Sequence, residues 1–308
     1  GQMPRLLGLG LASKIYRAHK DLKADQFTNK GNEIAWGTIG DASTSEGMFW
    51  ETLNAAGVLQ VPVVLSVWDD EYGISVHTKD QTTKQSISEV LEGFKRTDEK
   101  EGFEILCVKG WDYAELIETY QKAEDIAREQ HIPVLIHVQE VTQPQGHSTS
   151  GSHERYKSKE RLNWEKEHDC NTKMRQWMLD NGIADEEELK KIDDAAKKAA
   201  RKGKQDAWKE VNDTARSAKK ELIQVLNDLK ANSQASDKIA DLINELKNDD
   251  EPLKSLVAAT ARKALRHVAG EKSQERTALI NWLDSFNAKR KEEYNSFLYG
   301  RSEQTPLK

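Results

Sequence analysis

The stretch Ile34-Ala-Trp-Gly-Thr-Ile-Gly40-Asp41-Ala42-Ser43-Thr-Ser-Glu46-Gly47, followed by Val61-Pro-Val-Val-Leu-Ser-Val-Trp68-Asp69-Asp70-Glu71-Tyr72-Gly73-Ile74-Ser75, decides the fold. In each half an apolar run ends in a tight turn that carries carboxylates. Between the halves Phe49, Trp50, Leu53, Ala56 and Leu59 recur at helical spacing, behind Ser43-Thr44-Ser45 as candidate N-caps. Strand, helix and strand in this order predict neighbouring parallel strands with both acidic turns at one edge of a sheet. Open α/β sheets bind ligands at that edge. Oxygen ligands beside small residues suit Mg²⁺ and a phosphate. Asp is also a good turn former, so either turn alone says little. The pair at this spacing points to a metal site formed by Asp41 and Asp70.

Working outward, residues 5–20 have the pattern of a helix, with Leu6, Leu7, Leu9, Ala12, Ile15 and Tyr16 on one side. After the second acidic turn, 86–94 predicts a short helix and 103–108 a third strand. Residues 113–129 predict a helix with Leu116, Ile117, Tyr120 and Ala123 inward, and 132–138 a fourth strand. The β-α-β-α-β order predicts an α/β, doubly wound, mostly parallel sheet covered on both faces.

The texture then changes. Residues 142–154 form a polar loop rich in Gly, Ser and His, and loops of this length are often functional. No proline falls between Pro144 and Pro252, and 170–298 has the pattern of one long charged, all-helical region. Three apolar stripes run through it: Leu222, Ile223, Leu226 and Leu229; Ile239, Leu242, Ile243 and Leu246; Leu279, Trp282, Leu283 and Phe286. Residues 231–236 mark the expected break between two helical parts.

Composition narrows the class. Of 308 residues, 37% are hydrophobic and 32% charged, more polar than a compact enzyme usually is. The net charge of −6 argues against nucleic acid as the main partner. No 18-residue uncharged apolar run predicts a membrane span. Cys107 and Cys170 make neither a disulfide framework nor a metal-ligand spacing, so a reducing, cytoplasmic setting is expected. Gly1-Gln-Met-Pro-Arg-Leu-Leu opens inside an apolar helical pattern, which reads as the middle of a longer natural chain.

Gly40-Asp41-Ala42, the helix with Glu51 and Asn54, Leu59-x-Val-Pro62-Val, and the turn running into Tyr72-Gly-Ile-Ser75 resemble the thiamine-diphosphate motif, Gly-Asp-Gly followed at a distance by Asn-Asn. The wording is similar to the α part of the E1 component of 2-oxo acid dehydrogenases. Gln2-Met3-Pro4, the loop Gly146-His147-Ser148-Thr149-Ser150 with Arg155-Tyr156, and Trp164 through Lys190 carry the same resemblance, which covers roughly residues 1–230.

The resemblance implies thiamine diphosphate and Mg²⁺ as cofactors. It implies Asp41, Asp70 and the Tyr72 carbonyl as metal ligands, and Gly40, Ala42, Ser43, Ile74 and His147 as cofactor contacts. His147 is the implied catalytic residue, whereas Ile74 could equally be plain core. Ser148 stands where animal relatives are phosphorylated. Further implied are an E1 β half, in the same chain or a separate subunit, that brings the catalytic glutamate, a lipoyl-bearing E2 partner, and a homo- or hetero-oligomer. On this basis residues 1–165 are the cofactor-binding α/β domain. Residues 166–231 are the C-terminal helices of the α part, and 232–308 a helical connector toward a β half, the chain being cut at both ends as in bacterial α–β fusions.

Three positions depart from the pattern. Ala42 replaces a glycine, Asp69-Asp70 replaces Asn-Asn, and Trp68 stands where a basic residue is common. The site is therefore more acidic than its relatives', so the metal must screen a diphosphate. Two alternatives are a transketolase-like ketol transferase, against which the 146–156 loop argues, and a helical assembly module with a vestigial site, against which the two intact turns argue.

Overall fold

A computed structural model describes residues 1–19, 21–22, 26–147 and 153–295. Two compact units result, Gly1–Leu189 and Lys190–Lys308. The first opens with helix α1 (Met3–Ala18), whose Pro4 sits in the first turn, where no backbone N–H is needed. Strand β1 (Ala35–Gly40), helix α2 (Gly47–Leu59) and strand β2 (Val63–Trp68) follow. A two-residue hairpin, β3 (Tyr72–Gly73) and β4 (Val76–His77), leads to the one-turn helix α3 (Ile87–Val90). Strand β5 (Glu104–Lys109), helix α4 (Tyr113–Gln130) and strand β6 (Val134–Gln139) complete the sheet. Asp112 caps α4 by accepting the Glu115 N–H at 3.0 Å.

The four long strands are all parallel, in the order β1-β2-β6-β5. The β1–β2 and β5–β6 crossovers advance across the sheet in opposite directions. Right-handed crossovers therefore put their helices on opposite faces. The cores agree: α1 and α2 cover Val63, Leu65, Val67 and Leu135, while α4 covers Val64, Val134, Ile136 and Val138. The doubly wound parallel sheet predicted from the periodicity is present, with β2 and β6 buried on both faces.

Helices α5 (Lys159–Glu167) and α6 (Cys170–Asp180) close the first unit, and the 47-residue α7 (Glu186–Asn232) leads into the second. There α8 (Ser236–Lys247), α9 (Lys254–His267) and α10 (Gln274–Asn295) pack with the last turns of α7. The three predicted stripes converge on one core of Leu222, Leu226, Leu229, Ile239, Leu242, Ile243, Leu246, Leu279 and Leu283, with Val257 and Ala261 of α9 between them. The break at 231–236 is a turn, and the helices on either side of it share that core.

Two local expectations fail. Ser43-Thr44-Ser45 do not cap α2: residues Ala42–Ser45 form a 3₁₀ turn, and the N-cap position falls on Glu46. The turn inserts because the Asp41 carbonyl already accepts the Thr44 N–H at 3.0 Å. Ile117 lies on the outer side of α4, 53% exposed, since the buried stripe runs through Ala123, Ile126 and Ala127. Among the described residues no helix is long and apolar enough to cross a membrane.

Candidate functional site

The site begins where the strand ladders run out. Gly40 is the register partner of Trp68, and Trp68 of Val138. Backbone pairing continues one step beyond: the Asp41 N–H donates to the Trp68 carbonyl at 3.1 Å, the Asp69 N–H to Val138 at 2.9 Å, and the Val141 N–H to Asp69 at 2.9 Å. Both acidic turns and the start of the 142–154 loop are thereby held side by side. Asp41, Asp69 and Asp70 are all buried.

A cavity of about 600 Å³ opens over these turns. Gly40, Asp41, Ala42, Ser43, Asp70, Tyr72, Ile74 and His147, all eight positions singled out from the sequence, line it, together with Glu46, Trp68, Gln81 and Gln143. His147 is exposed, and the following residues 148–152, Ser148 among them, lie outside the described residues. Ile74 is not core. It is 63% exposed at the hairpin turn with φ of +60°, a strained conformation for a β-branched residue that a functional turn often holds.

Two glycines have different reasons. A Cβ on Gly73 would stand 2.6 Å from the Ala42 side chain, so glycine there lets the two turns approach. A Cβ on Gly40 would meet nothing within 4 Å. Protein packing does not demand glycine at Gly40, and its backbone lies open to the cavity.

The cavity is electrostatically unbalanced. Burial first, then the carboxylates of Asp69 and Asp70, push Asp41 up to about 7. Burial also raises Asp70, although the Tyr72 N–H, at 3.2 Å from Oδ1, and the Lys157 charge oppose it. Among the described residues no lysine or arginine lines the cavity. No group of three or more His, Cys, Asp or Glu side chains forms a metal cage among them either. The arrangement offers two carboxylates to a cation whose remaining ligands must come from backbone and a bound molecule, the habit of Mg²⁺ beside phosphates.

Three supports are absent from the sequence-based expectations. On α5, Arg161 Nη2 donates to the Asp70 carbonyl at 3.0 Å, Nη1 pairs with Glu71, and Nε donates to Glu165 Oε1 at 3.0 Å. Lys157 pairs with the same Glu165 oxygen at 2.6 Å, wholly buried, and stands 4.8 Å over the Tyr72 ring. Behind the turn, His137 of β6 is completely buried, with Nε2 2.8 Å from Asp69 Oδ2. Burial alone would depress His137, but its hydrogen bond to Asp69 and the neighbouring Cys107 thiol lift it to about 9. The available signals were the four-residue spacing of Arg161 and Glu165 and a histidine set in an otherwise apolar strand.

The sequence profile of the family described as dehydrogenase E1 component matches residues 1–220. The chain is 28% identical over 169 residues to the pyruvate dehydrogenase E1 component subunit alpha of Rickettsia bellii, covering 55% of this chain and 49% of that one. It is 29% identical over 199 residues to the mitochondrial 2-oxoisovalerate dehydrogenase subunit alpha 1 of Arabidopsis thaliana, covering 64% and 38%. A pyruvate dehydrogenase E1 component subunit alpha of Acholeplasma laidlawii is 29% identical over 190 residues, covering 61% and 48%. The chain thus spans about half the length or less of these relatives. With the match extending over well more than half of its residues, the chain belongs to the dehydrogenase E1 component family.

Proposed function

We propose that this chain is the diphosphate- and metal-binding part of an E1 enzyme that decarboxylates a 2-oxo acid oxidatively and passes the acyl group to a lipoyl-bearing E2. The observation that carries the proposal is the acidic cavity: two buried carboxylates with raised pKa values, open backbone at Gly40, and no lysine or arginine among its described lining residues. Thiamine diphosphate with Mg²⁺ fits that donor set, because a divalent ion would relieve the carboxylate repulsion and offset the diphosphate charge. Asp41, Asp70 and the Tyr72 carbonyl would hold the ion. Gly40, Ala42, Ser43 and Ile74 would bind the cofactor through backbone and hydroxyl groups. When bound, thiamine diphosphate supplies the carbanion-stabilising centre that loss of CO₂ requires.

His147 lines the same cavity and would move protons beside the bound cofactor, since imidazole works near neutral pH. The glutamate that activates the cofactor comes from an E1 β half, in the same polypeptide or a separate subunit, so the working enzyme is an oligomer in a reducing, cytoplasmic setting. Residues 1–165 are its cofactor-binding domain, 166–231 the closing helices of the α part, and 232–308 a helical connector.

Calorimetry on this chain assembled with a β half tests the proposal. Thiamine diphosphate binds with Mg²⁺ present and not measurably in its absence, and Asp41→Ala removes the Mg²⁺-dependent binding. Equal affinity with and without Mg²⁺ would overturn the assignment of the metal site.

A further inference from the structure

Glu71 stands between Asp70 and Tyr72 with a φ of +65°. A glutamate stays in that left-handed region only where its surroundings hold it there. The two peptide groups that flank it are pinned at both ends. The Asp70 carbonyl accepts Arg161 Nη2 at 3.0 Å, and the Glu71 N–H donates to Asp69 Oδ1 at 2.8 Å. The Glu71 carbonyl accepts the Thr78 N–H at 2.8 Å, and the Tyr72 N–H donates to Asp70 Oδ1 at 3.2 Å. Among the described residues, Arg161 is the only one of these partners from outside residues 69–78.

Arg161 grips three consecutive residues. Besides the Asp70 carbonyl, it pairs through Nη1 with the Glu71 carboxylate, and its guanidinium carbon lies 5.7 Å from the centre of the Tyr72 ring. Its own place is set from behind. The Ser158 hydroxyl caps α5 by accepting the Arg161 N–H at 3.2 Å. Nε donates to Glu165 Oε1 at 3.0 Å, the oxygen that Lys157 also holds at 2.6 Å. Glu165 is completely buried, so this brace is fixed to the body of the unit.

We propose, on the reading that Asp70 and the Tyr72 carbonyl hold the ion, that Arg161 is a positioning residue: it keeps Glu71 left-handed and so presets those two ligands for a divalent cation. Mg²⁺ demands near-octahedral oxygen geometry and tolerates little displacement of a ligand. Were Glu71 to relax to an ordinary negative φ, the Asp70 carboxylate and the Tyr72 carbonyl would turn relative to each other. A planar guanidinium suits the task, because its separate N–H groups serve a carbonyl and two carboxylates at once, which an ammonium on a flexible stem does not fix. Arg161 does not line the cavity, so its effect passes through the turn.

Two readouts test this on the chain assembled with a β half. Calorimetry with thiamine diphosphate over a range of Mg²⁺ concentrations gives the Mg²⁺ requirement. Amide hydrogen exchange of residues 69–78, without Mg²⁺ or cofactor, reports the turn itself. Arg161→Met is expected to raise the Mg²⁺ concentration for half-maximal binding roughly tenfold and to speed exchange in 69–78 by a similar factor, while β2 and β6 exchange as in the wild type. Lys157 still pairs with Glu165 in that variant, so no buried charge is stranded. Arg161→Lys is expected to lose about threefold. Adding Glu71→Gly to Arg161→Met is expected to restore most of the Mg²⁺ affinity, since glycine adopts the left-handed region without steric cost. A residue that merely kept α5 in place would not be rescued by that change. Should Arg161→Met fail to fold, Arg161→Lys with and without Glu71→Gly makes the same comparison. Wild-type binding that is independent of Mg²⁺ would overturn the metal assignment and this proposal with it. Mg²⁺-dependent wild-type binding that neither Arg161 variant alters, or a loss that Glu71→Gly leaves unrepaired, would overturn the role of Arg161 alone.

Discussion

The two compact units handle burial in opposite ways. In residues 1–189, Asp41, Asp69, Asp70, His137, Lys157 and Glu165 are all buried around one edge of the sheet. In residues 190–308, the buried polar side chains among the described residues are Asn212 and Thr260, and the core is leucine, isoleucine, valine and alanine. Withdrawing a charge from water costs several kcal/mol unless it is paired, so a fold concentrates buried charge where it has chemical use. The helical unit has no such cluster. Its stripes are arranged for cohesion, whereas the sheet edge retains charges that an all-apolar packing would have avoided.

The contrast can be broken most forcefully at Lys157. Removing its carboxylate partner leaves the buried Lys157 charge stranded, so Glu165→Met should destabilise the first unit by about 3–5 kcal/mol. Urea unfolding followed by peptide-resolved proteolysis measures it, and a loss below about 1 kcal/mol, the range of surface pairs, would mean that the pair is solvated. In the helical unit the corresponding test is Leu226→Ala. Leu226 is fully buried, and deleting its side chain should cost about 2–4 kcal/mol. That loss is expected to leave Mg²⁺-dependent cofactor binding unchanged, because no residue of the cavity lies in that core.

The smallest effect is the pH response. His137 has its folded pKa raised to about 9 from an ordinary 6.5. Its contribution to stability is therefore complete below pH 6.5 and is lost as pH rises through about 9. Cys107, lowered on folding, has the opposite linkage, so the measurement belongs in a Cys107→Ser background. There the first unit should weaken as pH rises above 6.5, through a His137 value that Asp69 still raises, while the helical unit does not. Asp69→Asn should flatten the dependence, and an unchanged slope in that variant would remove Asp69 as the partner that holds the proton.

Most of the fold was legible before any coordinates. The apolar runs at 63–68 and 134–139 carry no alternation because both faces of those strands are covered, and the acidic turns stand at strand ends because β-α-β units place them there. The eight positions line one cavity; the unit order puts Asp41 and Asp70 at that edge, while His147 and the other contacts were named by the resemblance. Local expectations failed where a competing contact intervened. Ser43-Thr44-Ser45 had the composition of a cap, yet the Asp41 carbonyl drew them into a 3₁₀ turn. Ile74, open between core and contact, proved to be exposed at the cavity rim.

By itself the sequence determined the parallel sheet, the helical stripes and the two carboxylates at the sheet edge. The stripes depend on residues three to four positions apart, and the sheet and its acidic turns on short apolar runs that alternate with helices along the chain. Only the tertiary structure decided which charges lie behind those carboxylates. His137 and Asp69 are 68 residues apart and meet because β6 inserts beside β2. Arg161 and Asp70 are 91 residues apart and meet because α5 folds back over the turn. Strand order and helix docking are set by packing over the whole unit, and no local spacing in the chain encodes them.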